Sequence, residues 1–147
     1  PHYNGDLDVG DGPEPVAALR RAIGEADALL LVSPEYNYSI PGVLKNAIDV
    51  LSRPYGKSAL TGKPVGVISS SPGAIGGFGA NHALRQMLVG LNPVVMQGDW
   101  YLGGVHEWFD GEGHLVLQDK RAFLARFAGE FADWVRTHAP AVRKAAA

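Results

Sequence analysis

Ala28-Leu29-Leu30-Leu31-Val32 is an unbroken apolar run that empties at once into Ser33-Pro34-Glu35-Tyr36-Asn37-Tyr38, and no other stretch limits the fold as much. A continuous run, as opposed to an alternating one, predicts a strand buried on both faces, which is the condition of a parallel sheet covered by helices on each side. Ser39 and Pro41 then predict the cap and first turn of a helix. Aromatic, amide and carboxylate groups therefore gather at the carboxyl end of a strand, and in open α/β sheets ligands bind in the crevice outside those ends. A plain strand-to-helix connection would look the same, so loop chemistry alone leaves both readings open.

The rest of the chain repeats the alternation. Val16, Leu19, Ile23 and Ala26 recur at helical spacing and predict a helix over 14–25; Leu44, Ala47, Ile48 and Leu51 predict another over 41–52, stopped by Arg53-Pro54-Tyr55-Gly56. Val65-Gly66-Val67-Ile68-Ser69 is a second buried-strand run, followed by a helix over 79–90 and a third strand over Pro93-Met96. Strand, helix, strand, helix, strand is the pattern of a parallel sheet with right-handed crossovers. Residues 108–117 predict a small hairpin with Asp110-Gly111 supplying positive φ, and Phe123, Phe127, Phe131 and Trp134 mark the core side of a last helix over 119–138. Ala145-Ala146-Ala147 is expected to fray.

Composition narrows the function. The 147 residues, 46% of them hydrophobic, suit one domain over 1–147 with a sizeable core, and no linker or repeat divides them. A net charge of −2 with scattered Lys and Arg excludes a nucleic-acid partner, and no apolar run reaches the ~20 residues of a membrane span. The absence of cysteine excludes a disulfide framework and fits a reducing cytoplasm. The five histidines show no pairing at three or four residues' separation, so no metal site is expected.

Between the second strand and its helix lies Ser69-Ser70-Ser71-Pro72-Gly73-Ala74-Ile75-Gly76-Gly77-Phe78-Gly79-Ala80. Glycines let backbone approach a flat or phosphorylated ligand and let successive N–H groups donate to it, although a tight turn needs glycine as well. The loop lacks the Lys-Ser/Thr ending of a Walker loop, the dinucleotide fingerprint, and the Gly-x-Ser-x-Gly elbow of a hydrolase. Both loops leave the carboxyl ends of neighbouring strands, so Tyr36 and Tyr38 on one and Gly76 and Gly77 on the other are expected to face one ligand.

Ser33-Pro34-Glu35-Tyr36-Asn37-Tyr38-Ser39-Ile40-Pro41-Gly42, Leu44-Lys45-Asn46-Ala47-Ile48-Asp49, Gly62-Lys63-Pro64, the Ser-Ser-Ser…Gly-Gly loop and Leu84-Arg85-Gln86 together resemble the NADPH-dependent FMN reductase family, which includes chromate and quinone reductases. The resemblance implies a flavodoxin-like three-layer α/β sandwich with a parallel sheet, non-covalent FMN, and hydride transfer from NAD(P)H to quinones, free flavins, azo dyes or metal oxyanions. It places Pro34, Glu35, Tyr36, Asn37 and Tyr38 along the isoalloxazine ring, with Asn37 and backbone groups of Glu35 in contact, and Ser70, Gly73, Gly76 and Gly77 at the ring's polar edge. It assigns no catalytic acid or base, because the flavin carries the chemistry. It also turns Arg85 and the segment around Trp100-Tyr101 toward a neighbouring subunit of a homodimer or homotetramer.

One departure is large. The family opens with a strand and a phosphate-binding loop, whereas residues 1–8 resemble the segment just after its second strand, so about two strands and a helix are expected to be missing from this sequence. That loss would bare an edge of the strand at 28–33, where unpaired buried backbone groups cost ~1–3 kcal/mol each, and a separate N-terminal fragment could complete the sheet. It would also remove the anchor of the FMN phosphate. Two rival expectations share the fold: a flavodoxin-type electron carrier, usually more acidic than −2 over this length, and a flavin-free interaction subunit.

Overall fold

The computed structural model describes residues 1–145, with side chains through residue 139; Ala146 and Ala147, part of the expected frayed end, lie outside the described residues. Four parallel strands form one sheet: β1 (Leu29–Pro34), β2 (Pro64–Ser70), β3 (Val94–Val95) and β4 (Tyr101–Leu102). β2 is central. It pairs along its whole length with β1, from Leu29 against Val65 to Pro34 against Ser70, and on its other side with β3 at its start and β4 at its end.

The period-two alternation of β2 divides the core into two layers. Val65 and Val67, with Leu29 and Leu31 of β1, pack beneath α1 (Glu14–Glu25), α2 (Gly42–Leu51) and α3 (Phe78–Val89), where Ile48, Leu51, Leu84 and Leu88 are buried. Ile68 faces the opposite way, with Met96 and Trp100, against Phe123, Phe127 and Phe131 of α4 (Gln118–Ala145). The Trp100 ring meets Phe127 edge-on at 4.9 Å and Phe123 at 5.4 Å, a geometry that adds favourable quadrupole contact to area burial. Gly66 lets α4 come this near: a Cβ there would meet the Phe131 ring at 2.8 Å. The layers are helices, sheet, helix, which is the three-layer α/β architecture expected from the sequence.

The predicted helices and first two strands fall within a residue or two of their expected bounds, apart from α4, which runs on to Ala145. Four expectations need correction. β1 is not buried on both faces: Leu30 is 40% and Val32 63% exposed, because α4 crosses β2 and leaves this side of β1 bare. A groove of about 510 Å³ results, walled by Leu30, Val32, Phe127, Phe131 and Val135. Ser39 does not cap α2, whose N-cap is Pro41; it closes a turn instead, exchanging backbone hydrogen bonds of 2.8 and 3.0 Å with Tyr36. The hairpin at 108–117 contracts to a single bridge between Phe109 and Leu115, and its positive φ belongs to Gly113, since Asp110 Oδ1 already fixes the turn by accepting from the Glu112 and His114 amides. Finally, the third predicted strand, 93–96, shortens to β3, and β4, which the sequence does not predict, follows it after a turn in which Gly98 sits at φ 109° under the Trp100 indole.

No helix among the described residues is long and apolar enough to cross a membrane. Among the same residues no cluster of three or more His, Cys, Asp or Glu is arranged to hold a metal ion.

Candidate functional site

The loops after β1 and β2 leave the same rim of the sheet and touch. The Glu35 amide donates to Ser70 O at 2.9 Å, continuing the ladder one residue beyond the strands. The Glu35 carboxylate then reaches across to α3, where Oε2 accepts from the Ala80 amide at 3.0 Å and satisfies one of the orphan donors of the helix N-terminus. No side chain of α3's own N-cap does this, because that position is Gly77 in the left-handed region. Gly79 brings the loops closest: a Cβ on it would lie 2.5 Å from Tyr38 O and 3.0 Å from Glu35 Oε2.

Asn37 and Tyr38 make the first loop turn sharply, with φ of 50° and 62°. Two successive left-handed residues form the tight reversal that otherwise favours Asn-Gly, and a tyrosine held there is a strained choice. Its effect is to throw both rings outward: Tyr36 is 60% and Tyr38 87% exposed. Ile75 on the second loop and Phe78 at the start of α3 are exposed too, so apolar surface from both loops is collected at one rim. Exposed aromatic and aliphatic groups of this kind, mounted on a rigid scaffold, suit a flat apolar ligand. On this observation the residues present fit an isoalloxazine ring.

The second loop is held from below by a buried polar network. Asn81, fully buried on α3, donates through Nδ2 to Ser69 Oγ at 3.2 Å, and Ser69 Oγ donates to Gly76 O at 3.2 Å. Asn81 Oδ1 accepts from Arg85 Nε at 2.8 Å, while the rest of the guanidinium donates to the carbonyls of Met96 and Gly98. Among the described residues, every buried side-chain nitrogen and oxygen has a partner. Asn81 escapes a reading of the sequence, since a single amide on a helix face has no periodic signature; only its place beneath the Gly-rich loop distinguishes it.

The structure distributes the expected site residues unevenly. Pro34, Glu35, Tyr36, Asn37 and Tyr38 all stand at the rim, as does half-buried Ser70, and Gly73 is exposed. Gly76 and Gly77 are buried: a Cβ on Gly76 would meet the Leu102 and Gly103 amides at 2.8 Å, and one on Gly77 the Ser70 amide at 2.9 Å. These two glycines seat the loop against β4 and β2. The Gly76 amide also donates to Gly73 O at 3.2 Å and so is spent within the loop. Trp100 turns inward, not toward a neighbour as expected, and is 3% exposed in the second core layer, while half-buried Arg85 binds carbonyls of its own chain. Lys45, on the helix after the first loop, is paired with Asp49 at 2.6 Å. Both cations nearest the loops in sequence are thus engaged away from any phosphate.

Comparison with known proteins gives a consistent result. The family profile described as NADPH-dependent FMN reductase matches residues 1–107. A quinone reductase of Pseudomonas putida is 54% identical over 138 residues, spanning 92% of this chain and 73% of its own. A 2-hydroxy-1,4-benzoquinone reductase of a Burkholderia species is 44% identical over 137 residues, spanning 92% and 74%. Among solved structures, a flavoenzyme NAD(P)H:(acceptor) oxidoreductase of Paracoccus denitrificans superposes with a TM-score of 0.85 at 40% identity, covering 94% of this chain and 76% of its own.

Proposed function

Since this chain belongs to the NADPH-dependent FMN reductase family, whose profile covers residues 1–107, we propose that it reduces small quinones with NAD(P)H through FMN held between the two loops. The single observation that supports the site is the junction of the loops at Gly79, where Tyr38 and the Glu35 carboxylate close on α3 and leave Tyr36, Tyr38, Ile75 and Phe78 exposed at one rim. Quinones are the acceptors named for the two relatives at 54% and 44% identity. FMN held there would supply two-electron redox chemistry, by which NAD(P)H, a proton and the quinone become NAD(P)⁺ and the hydroquinone.

The chain's own contribution is placement. Pro34 to Tyr38 would hold one side of the ring and shield it from water, and Ser70 and Gly73 would offer polar atoms to its edge, while Gly76, Gly77, Ser69 and Asn81 hold the second loop in place. Glu35 acts as a brace, because its carboxylate ties the first loop to α3. Such preorganisation matters for a transfer in which donor and acceptor rings must stack within contact distance.

Two further elements belong to the proposal. The bare edge of β1 and the adjoining groove suit an added strand and helix. Copies would associate as a homodimer or homotetramer in the cytoplasm, with exposed Ile75, Phe78 and Val89 available for the contact.

Steady-state assays of the pure protein with FMN, NAD(P)H and 1,4-benzoquinone test the reading. Parallel double-reciprocal lines are expected, because the oxidised nucleotide leaves before the quinone enters. Intersecting lines, or flavin retention without NAD(P)H oxidation, would overturn it; the second result would point to an electron carrier.

A further inference from the structure

Three rings gather on the outer face of α3 beside the junction of the loops. His82 stacks on Phe78 with 3.9 Å between ring centroids, and Tyr101 of β4 meets Phe78 edge-on at 5.6 Å and lies 6.1 Å from His82. Phe78 opens α3 directly after the Gly-rich loop, next to Gly79, and is 47% exposed at the rim; His82, one turn on, is exposed as well. Helical side chains lean toward the N-terminus of their helix, so the His82 imidazole is carried back over Phe78 toward the rim.

The hydrogen bond that His82 makes decides which of its nitrogens can work. Nδ1 lies 2.9 Å from Phe78 O. A carbonyl only accepts, so Nδ1 keeps its proton in either charge state, and Nε2 is the nitrogen that gains and loses one. Neutral His82 therefore presents an acceptor at Nε2, and protonated His82 a donor. The ion pairs that histidines form among the described residues belong to His106 and His114, so no carboxylate pairs with a charge on His82. The groups around it are committed elsewhere. The Tyr101 hydroxyl donates to Asp99 Oδ1 at 3.0 Å, and burial, with that bond, raises its pKa. The Arg85 guanidinium holds Asn81 Oδ1 and the carbonyls of Met96 and Gly98, and the Glu35 carboxylate holds the Ala80 amide. Tyr36 and Tyr38 carry phenols, far weaker acids than an imidazolium. At this rim, His82 is the group suited to deliver a proton near neutrality.

We propose that His82 donates through Nε2 to an oxygen of the quinone and supplies the proton that its reduction consumes. The proposal rests on the quinone-reductase reading and adds a residue to it. Reduction of the quinone takes one hydride, derived from NAD(P)H, which becomes NAD(P)⁺, and one proton. The Nε2–H bond breaks as an O–H bond forms on the quinone oxygen that has become anionic. Neutral Nε2 then accepts from that hydroxyl until the hydroquinone leaves and solvent returns the proton.

The test has two arms, both on the intact protein with FMN added. In the first, kcat/KM for 1,4-benzoquinone is followed against pH. The parent should fall as pH rises and His82 loses its proton. His82→Gln, whose amide donates but does not titrate, should lie about 100-fold lower near about pH 6, show no such fall, and approach the parent near about pH 9. His106→Gln, at an exposed histidine elsewhere, should keep the parent profile. The second arm involves no turnover: without NAD(P)H and under argon, the imidazole signals are titrated by NMR, and His82→Gln identifies the one that belongs to His82. Tetramethyl-1,4-benzoquinone, which only accepts, should raise the pH at which that signal titrates, and its hydroquinone, which donates to neutral Nε2, should lower it, each by about one pH unit. The same alkaline fall in His82→Gln, or shifts of one sign or none at saturating ligand, would overturn the proposal. A protein that reduces benzoquinone without these effects keeps the reductase reading and loses this one; a protein that shows both shifts yet does not reduce benzoquinone keeps the Nε2 contact and loses the reductase reading.

Discussion

Replacing Gly79 with alanine would drive a methyl group into the point where the two loops meet, 2.5 Å from Tyr38 O, 3.0 Å from Glu35 Oε2 and 3.1 Å from Tyr38 C. Two of the three atoms are backbone in a turn already bent through consecutive left-handed residues, so they have little room to yield. Overpacking of this kind costs ~1–3 kcal/mol, and the upper end applies to a clash with main chain. Alanine recovers ~0.8–1 kcal/mol of helix propensity, leaving a net loss of about 2 kcal/mol, or about 4–8 °C in Tm for a chain of this size. The same step opens the gap between the loops, so flavin affinity should fall as well. Gly129→Ala is the matched control: it lies in α4, exposed, with nothing within 4 Å of its would-be Cβ. There the propensity gain acts alone and should raise stability by ~0.8 kcal/mol. Urea denaturation with flavin-fluorescence titration of both variants decides. If Gly79→Ala is as stable as Gly129→Ala and binds flavin as the parent does, the loops do not meet as described.

Riboflavin should bind this chain within about threefold of FMN, since Lys45 and Arg85 are engaged elsewhere and each charge-assisted bond to phosphate would add about tenfold or more; fluorescence titration of both flavins reads the ratio. Asn81→Leu strips partners from Ser69 and Arg85 and should cost ~1–3 kcal/mol in urea denaturation while weakening flavin binding more than a core substitution of equal cost. Asp8 accepts from Arg20 at 2.8 Å and Arg53 at 3.1 Å, and the Arg20 hydrogen bond, opposed by burial and aided by Arg53, holds its carboxyl below 3.8. Its folded pKa lies under its unfolded one, so the contribution is complete above the unfolded value and is lost as pH falls through the folded one; an Asp8→Asn variant should lose stability at neutral pH and show a flatter acid limb below about pH 5.

How much of the molecule was legible in its sequence depended on how local each cause was. β1, β2 and their crossover helices were legible because continuous apolar runs and three-four spacing are written within single elements, and the Glu35-Tyr36-Asn37-Tyr38 loop was legible because its chemistry sits at a strand's end. β4 was not: two residues, Tyr101 and Leu102, become a strand only because Ser69 and Ser70 offer them a ladder and Gly98 lets the chain turn under Trp100. Trp100, which the resemblance turned toward a neighbouring subunit, is buried instead because α4 is laid across it. The site divides likewise. The Gly-rich loop announced flexibility and a ligand's approach, yet the structure turns two of its glycines inward: Gly76 presses on β4 and Gly77 on β2, while Asn81, silent in sequence, holds the loop through Ser69. On the proposed reading, the Gly76 amide, spent on Gly73 O, would not be the donor that holds a flat ring. The exposed edge that remains, with Tyr36, Tyr38, Ile75 and Phe78, rests on the closed network below, which is why the proposed ring site is placed there and not deeper in the loop.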